Sequence, residues 1–538
     1  MASLGRSSAM IAAGTMASRV LGLVRTVLLV QVLGEFFVGD AFAVANGLPS
    51  TIFNIISAGV LTAVFVPQIV KSRQHEDGGN AFVSKLFTLS TVVLTAVTIL
   101  ATIAAPLLVL IYAGAFKGGA AQVALATAFA YWCIPQVLFY GLFALVGETF
   151  NARNVYGPYT WAPVVNNVFS IAGLIVFMTM FQTPMTAMAD WTPDRIAFIG
   201  IVTTGGIIAQ FLVLLLFWRR AGLKLRPDFQ WRGVGLSEIA RLGGWTFAMV
   251  IIAQIAGAIQ SQLVSNASGD SPAQFSMNNA FLVYILPYSI IVLSIGTPYF
   301  TRISEHAAEG RKDELVKDID SSIRTLGVFI VLATAALAVA AVPASRLFTS
   351  DADSALQVAP VLWAYLANLI PVAILFIVQR TFYVYGDTRT PFFFTVLQQS
   401  IVIATAFAAY WLLPEDQLGV GIAAGQTFAT IVQTVVAILL LRRRIGSLHS
   451  RSWLTAYARF IVAGIAAAAV GWVTYELLGG SHSWMVSNEP TLVGKLMAIP
   501  GLAIIGIVAA IVYVIVLRLL RAPELQVAVD TAKRMLGR

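Results

Sequence analysis

Fourteen apolar runs, each long enough to cross a bilayer, follow one another along this chain. In hydrocarbon every backbone N–H and C=O needs a partner inside the protein, so such runs form helices or the strands of a closed barrel. A helix needs about twenty residues to span and a barrel strand about ten, and the lengths here select helices. The expected spans are 8–33, 38–70, 84–112, 122–149, 157–181, 196–218, 238–264, 273–300, 321–343, 355–383, 391–413, 418–441, 455–479 and 491–520. Only 11% of the residues are charged, against about 25% in soluble domains, and the connections leave no room for a soluble domain. The expected fold is all-α and polytopic, with the first run a retained span rather than a cleaved signal.

The net charge of +9 is not a nucleic-acid footprint, because of where it falls. Fourteen spans place both termini on one side. Of the Lys and Arg outside the spans, only Lys117, Arg195, Arg346 and Lys495 lie in connections on the opposite side; the rest lie on the side of the termini. Cytoplasmic loops carry such an excess, so both termini are expected in the cytoplasm, with the basic loops touching lipid headgroups.

The two halves share a faint pattern. Leu48-Pro49 is followed by Gly59, and Leu286-Pro287 by Gly296. TFNARNVYGP, which ends at Pro158, precedes Asn166-Asn167, and TFYVYGDTRTP, which ends at Pro391, precedes Gln398-Gln399. A period of about 235 residues covers an even number of spans, so the repeats are parallel, an arrangement that places a solute site at the repeat interface. The expected organisation is two six-helix lobes, 1–235 and 236–450, around a central cavity, with two extra helices and a tail in 451–538.

Arg19 and Arg25 stand inside the first span. A guanidinium at that depth costs roughly 2.5 kcal/mol or more, so it faces a water-filled cavity or an anion. Its planar fork matches phosphate oxygens, and two of them suit a pyrophosphate. Gly22 between them is a candidate for bending or close approach, as are Pro49 and Pro287. Asp40 begins the second span and is a candidate partner for an arginine. Asn46, Asn54, Asn278 and Asn279 are the preferred neutral cavity residues, being beside or equivalent to the arginine span. Glu148 and Arg380 are candidates for the cavity mouth; the alternatives are a Glu148–Arg153 pair and a snorkelling Arg380. Cys133 is the only cysteine, the four histidines form no ligand cluster, and no P-loop or nucleophile triad occurs. No catalytic role, metal or cofactor is expected, and no coupling ion is identified.

SRVLGLVR (18–25), GDAFAVANGLP (39–49), AVFVP (63–67) and DTRTP (387–391) resemble the MurJ/MviN family, lipid II flippases of the multidrug/oligosaccharidyl-lipid/polysaccharide exporter superfamily, actinobacterial members included. The resemblance implies a V-shaped cationic cavity between the two lobes and a lipid-tail groove at spans thirteen and fourteen. It implies functional roles for Arg19, Arg25 and Asp40. It also implies a bacterial plasma-membrane protein acting in peptidoglycan synthesis and cell shape, with cell-wall synthesis and division proteins as partners. The pattern departs from the family at Gly47, Phe53, Asn54 and Ala58, where many members carry charge, and at Leu282, where many have an arginine.

The resulting expectation is alternating-access transport of lipid II to the outer leaflet. The alternatives are export of another polyprenyl-diphosphate glycan and a non-transporting cell-wall assembly scaffold. A cation-coupled drug exporter would want membrane carboxylates, and the arginines have the wrong sign. The orientation has a direct check in a Cys133→Ser background. An impermeant thiol reagent added to intact cells should label a cysteine placed at Lys117 and not one placed at Arg226; the reverse pattern overturns it.

Overall fold

The computed structural model describes residues 2–57, 77, 79–153, 155–218, 226–230, 236–269, 271–448, 450–489 and 491–526. Among these there are helices, turns and short connections but no strand. Thirteen helical stretches are long and apolar enough to cross a membrane. They coincide with thirteen of the fourteen expected spans. The second expected span begins as the helix Phe37–Ile56, and its remainder, with Gly59 and residues 63–67, lies outside the described residues.

Contacts divide the chain into two units, Met1–Gly269 and Asp270–Arg538. The first holds α1 (Ala2–Leu33), α2 (Phe37–Ile56), α3 (Asn80–Ile103), α4 (Ala105–Ala113), α5 (Gly119–Cys133), α6 (Gln136–Ala152), α7 (Tyr156–Met180), α8 (Pro193–Leu216) and α9 (Leu236–Val264). Here α1 lies along α7, α7 along α8 and α2 along α5, while α9 packs on α2 and α4. The second unit holds α10 (Gln274–Pro287), α11 (Leu293–Ala308), α12 (Lys312–Val339), α13 (Ala341–Arg346), α14 (Ala352–Leu366), α15 (Leu369–Val384), α16 (Arg389–Leu412), α17 (Leu418–Ile445), α18 (Ser450–Leu477), α19 (Leu492–Leu496) and α20 (Ala498–Leu519). In it α16 lies along α17, and α18 packs on both α12 and α20.

The fourth and tenth spans are each broken at the same place. In the first unit α5 gives way to α6 at Ile134-Pro135, and in the second α14 gives way to α15 at Ala367-Asn368. Each break strips a carbonyl of its helical donor. Val137 N turns to Ile134 O (3.0 Å), which frees Cys133 O, and Asn368 N turns to Tyr365 O (2.9 Å), which frees Ala364 O. In each unit a threonine of the sixth helical span of that half donates to a carbonyl beside the break. Thr204 Oγ1 donates to Trp132 O (2.7 Å), and Thr427 Oγ1 donates to Ala364 O (2.6 Å). Away from water such a carbonyl needs a substitute partner, and a hydroxyl from a packed helix is the available one.

The two Thr-Phe motifs also end their helices alike. Val155 N donates to Phe150 O (2.8 Å) and Asp387 N to Phe382 O (3.0 Å). The polar pairs that follow tie helices together within each unit. Asn167 Nδ2 donates to Ser18 O (2.8 Å), and Gln398 Nε2 donates to Thr430 Oγ1 (3.2 Å). Proline marks a further irregularity in the eighth span. Pro287 is followed by a π-helical turn, Tyr288–Val292, before α11 resumes. Ser289 Oγ donates to Ile285 O (2.7 Å) and Leu286 O (3.0 Å), which keeps carbonyls satisfied where the helix widens.

The turn between α15 and α16 is built around Asp387. Gly386 takes φ +66°, a left-handed conformation that closes the helix end. Asp387 accepts from Thr390 N (2.9 Å) and Thr390 Oγ1 (2.8 Å) and pairs with Arg444. Partial burial works to raise its carboxyl pKa, but the Thr390 bonds and the Arg444 charge outweigh it and hold the pKa below the usual carboxylate range. The unfolded value is about 3.9, so this contribution to stability is complete above about pH 4 and is lost as pH falls through the lower folded value. In thermal unfolding, the margin of wild type over Asp387→Asn should shrink as pH is lowered from about 6 to about 3; a margin that does not change contradicts this.

Candidate functional site

In the first unit the two arginines of α1 open onto different spaces. They are six residues apart, and at 100° per residue their side chains leave the helix about 120° apart. The three-residue spacing with Gly22 therefore spreads round the helix rather than holding one stripe. Arg19 is half-buried and lines a cavity of about 530 Å³ with Ser18, Phe143, Asn151, Tyr159 and Thr160, from α1, α6 and α7. Its Nε is buried without a hydrogen-bond partner. Arg25 lines a cavity of about 60 Å³ with Asn46, Gln136, Tyr140, Ser170 and Thr203. Small-molecule sites run to roughly 300–1,000 Å³, so only the Arg19 cavity has the size to take part of a headgroup in this conformation.

The wall at Arg25 is polar but uncharged. Tyr140 OH donates to Gln136 Oε1 (3.3 Å), and Gln136 Nε2 donates to Thr204 Oγ1 (3.1 Å) and reaches Asn46 Oδ1 at 3.5 Å. Gln136 and Tyr140 are site residues that sequence reasoning did not single out. Their signal was a membrane glutamine one helical turn from a tyrosine, the spacing that puts both on one face.

Asp40 does not pair with either arginine. It is fully buried and accepts from Ser268 Oγ (2.7 Å), whose oxygen in turn accepts from Gln122 Nε2 (2.7 Å). Gln122 also donates to Phe37 O (2.9 Å), so the carboxylate belongs to a network joining α2, α5 and the turn after α9. Gly22 lies in the unbroken α1, and a methyl there would meet Asn167 no closer than 3.8 Å, an ordinary contact. Pro49 sits inside α2, Asn54 is exposed, and Glu148 is half-buried.

In the second unit, Asn278 is exposed and accepts from Gln274 Nε2 (3.1 Å). Its neighbour Asn279 is buried, with Nδ2 lacking a partner. Pro287 ends α10 at the π turn. Arg380 is half-buried between aromatic faces, its guanidinium carbon 4.5 Å from the Phe376 ring centroid and 4.9 Å from that of Phe300. Cation–π contact thus holds a charge for which the sequence offered only snorkelling or a cavity mouth. Among the described residues no His, Cys, Asp and Glu cluster has the makings of a metal site.

A many-span helical protein with arginines lining its interior cavities is compared most usefully with transport families. The family model for the lipid II flippase MurJ matches residues 29–493. The chain belongs to the MurJ family. A probable lipid II flippase MurJ of Haemophilus influenzae is 24% identical over 488 residues, which cover 85% of this chain and 90% of the relative. The solved structure of a lipid II flippase MurJ in an inward closed conformation superposes with TM-score 0.72 at 19% identity, over 95% of this chain and 99% of that one. An inward-facing multidrug resistance MATE family transporter of the MOP superfamily gives TM-score 0.58 at 15% identity, over 84% and 96%. This MurJ family member is thus a multi-pass membrane protein whose fold is shared with drug exporters.

The unpartnered amide of Asn279 separates folding from any other role. Leaving a buried polar group unsatisfied costs about 1–3 kcal/mol, so Asn279→Leu should melt at the same temperature as wild type or higher. A fall of several degrees in detergent would show that the amide supports the fold.

Proposed function

We propose that this chain flips lipid II, the polyprenyl-diphosphate-linked peptidoglycan precursor, from the cytoplasmic to the outer leaflet by alternating access. The observation that carries the reading is the half-buried Arg19, paired with no carboxylate among the described residues, beside a cavity large enough for part of a headgroup in a member of the MurJ family. The diphosphate engages Arg19 and then Arg25 as the cavities change size, because guanidinium forks match phosphate oxygens and no carboxylate among the described residues pairs with them. Asp40 acts by fixing the network with Ser268 and Gln122 rather than by touching an arginine. By the sequence repeat the lobes are 1–235 and 236–450, with 451–538 added to the second, while the helix Leu236–Val264 packs on α2 and α4 of the first unit. The charge asymmetry of the loops supports cytoplasmic termini in a bacterial plasma membrane. The fold alone does not exclude a drug exporter, but uncompensated cations suit an anionic solute.

A second reading, export of a different polyprenyl-diphosphate glycan, is favoured by one observation: Leu282 leaves the eighth span uncharged where many family members carry an arginine. The test is accessibility of lipid II at the outer face of cells depleted of this protein and rescued with variants. Wild type should restore it. Arg19→Ala and Arg25→Ala should each reduce rescue at least tenfold, the scale of losing one charge-assisted contact of about 1.5–3 kcal/mol. Outer-face lipid II that is unaffected by depletion rejects lipid II as substrate and favours the second reading. Full rescue by both alanine variants rejects the arginine mechanism.

A further inference from the structure

We propose that the second unit carries a binding site for an anionic phospholipid, separate from the arginine cavities of the first unit. A groove of about 410 Å³ runs between α15, α17 and α18, lined by Ile370, Ile374, Ile431, Ile438, Leu439 and Trp453 among others. The wall is apolar. Its one hydroxyl, Thr434, is turned to the backbone, where it donates to Thr430 O (2.7 Å) and Pro371 O (3.2 Å). Ile431, Leu439 and Leu454 along it are exposed, so in a membrane the groove opens to lipid.

One end of this groove is cationic. On α17 the lining residues Ile438 and Leu439 are followed one turn later, on the same face, by Arg442 and Arg443. On α18 the lining residue Leu454 is preceded one turn earlier by Arg451. The two helices are joined by the short connection 446–449, so all three cations gather at one membrane face. Each is exposed, and none forms an ion pair among the described residues. Their neighbour Arg444 differs, being paired with Asp387 and stacked on Tyr385. Trp453 stands at the same end with Nε1 donating to Leu448 O (3.3 Å), the placing of an interfacial aromatic.

Apolar walls below and free cations above match one occupant: an acyl chain in the groove with its phosphate among Arg442, Arg443 and Arg451. Basic clusters beside spanning helices select anionic headgroups in this way. The site uses none of the residues that line the arginine cavities.

The test is native mass spectrometry of the full chain taken from nanodiscs of mixed phosphatidylglycerol and phosphatidylethanolamine. Wild type should retain phosphatidylglycerol preferentially. The variant R442Q/R443Q/R451Q should bind it roughly fivefold more weakly for each cation removed. The charge-matched variant K317Q/R518Q/R521Q should behave as wild type. Ile374→Trp, which fills the groove without altering charge, should also lose the lipid. Equal retention of both lipids, or equal losses in the two charge variants, overturns the proposal. So does a change of oligomeric state in the groove variant with lipid retention intact, which would assign the face to a second copy. If Ile374→Trp does not fold, the comparison of the two charge variants decides alone.

Discussion

The absence of water from the hydrocarbon layer governs nearly every feature described. A backbone group there finds its partner within the protein or leaves several kcal/mol unrecovered. That requirement makes the described spans helical. It also accounts for the exceptions. At Pro135 and Asn368, where two spans break, a threonine from another helix reaches a carbonyl beside the break. At the π turn after Pro287 a serine does the same work within its own helix.

The same constraint explains why the arrangement of spans was legible in the sequence and the site was less so. Spans declare themselves by apolar length, and the repeat by Thr-Phe, Pro and paired amides at matching intervals. Those amides do in each unit what a polar pair in lipid must do, joining Asn167 to the first helix and Gln398 to Thr430. The presence of arginines in α1 was equally plain, as was the need to keep them from lipid. Their division between two cavities was not, because it depends on which helices pack on each side of α1. Six residues of helical rotation already separate Arg19 from Arg25; α2, α6, α7 and α8 decide what each one faces. Asp40 was misjudged as an arginine partner for a similar reason. Its partners Ser268 and Gln122 lie more than eighty residues away, and no local pattern announces them.

The charge at the candidate site is arranged differently in the two units. In the first, the guanidinium of Arg19 keeps a buried nitrogen without a partner, and the wall around Arg25 is uncharged. Such groups remain available to an incoming anion. In the second, Arg380 lies between Phe376 and Phe300, and Arg444 is engaged by Asp387. These cations are already compensated. The fold is shared with a flippase and a drug exporter, so the fold alone does not set the solute.

The broken spans carry a lesson about how such repeats diverge. One break contains a proline and the other an asparagine, yet both recruit a hydroxyl from a distant helix to a carbonyl beside the break. The residue at the bend differs between the halves, while the donor in both is a threonine some sixty to seventy positions along the chain. Symmetry between the halves is therefore recorded less faithfully in the bends than in the distant hydroxyls that heal them, and an internal duplication of this kind is traced best through its threonines.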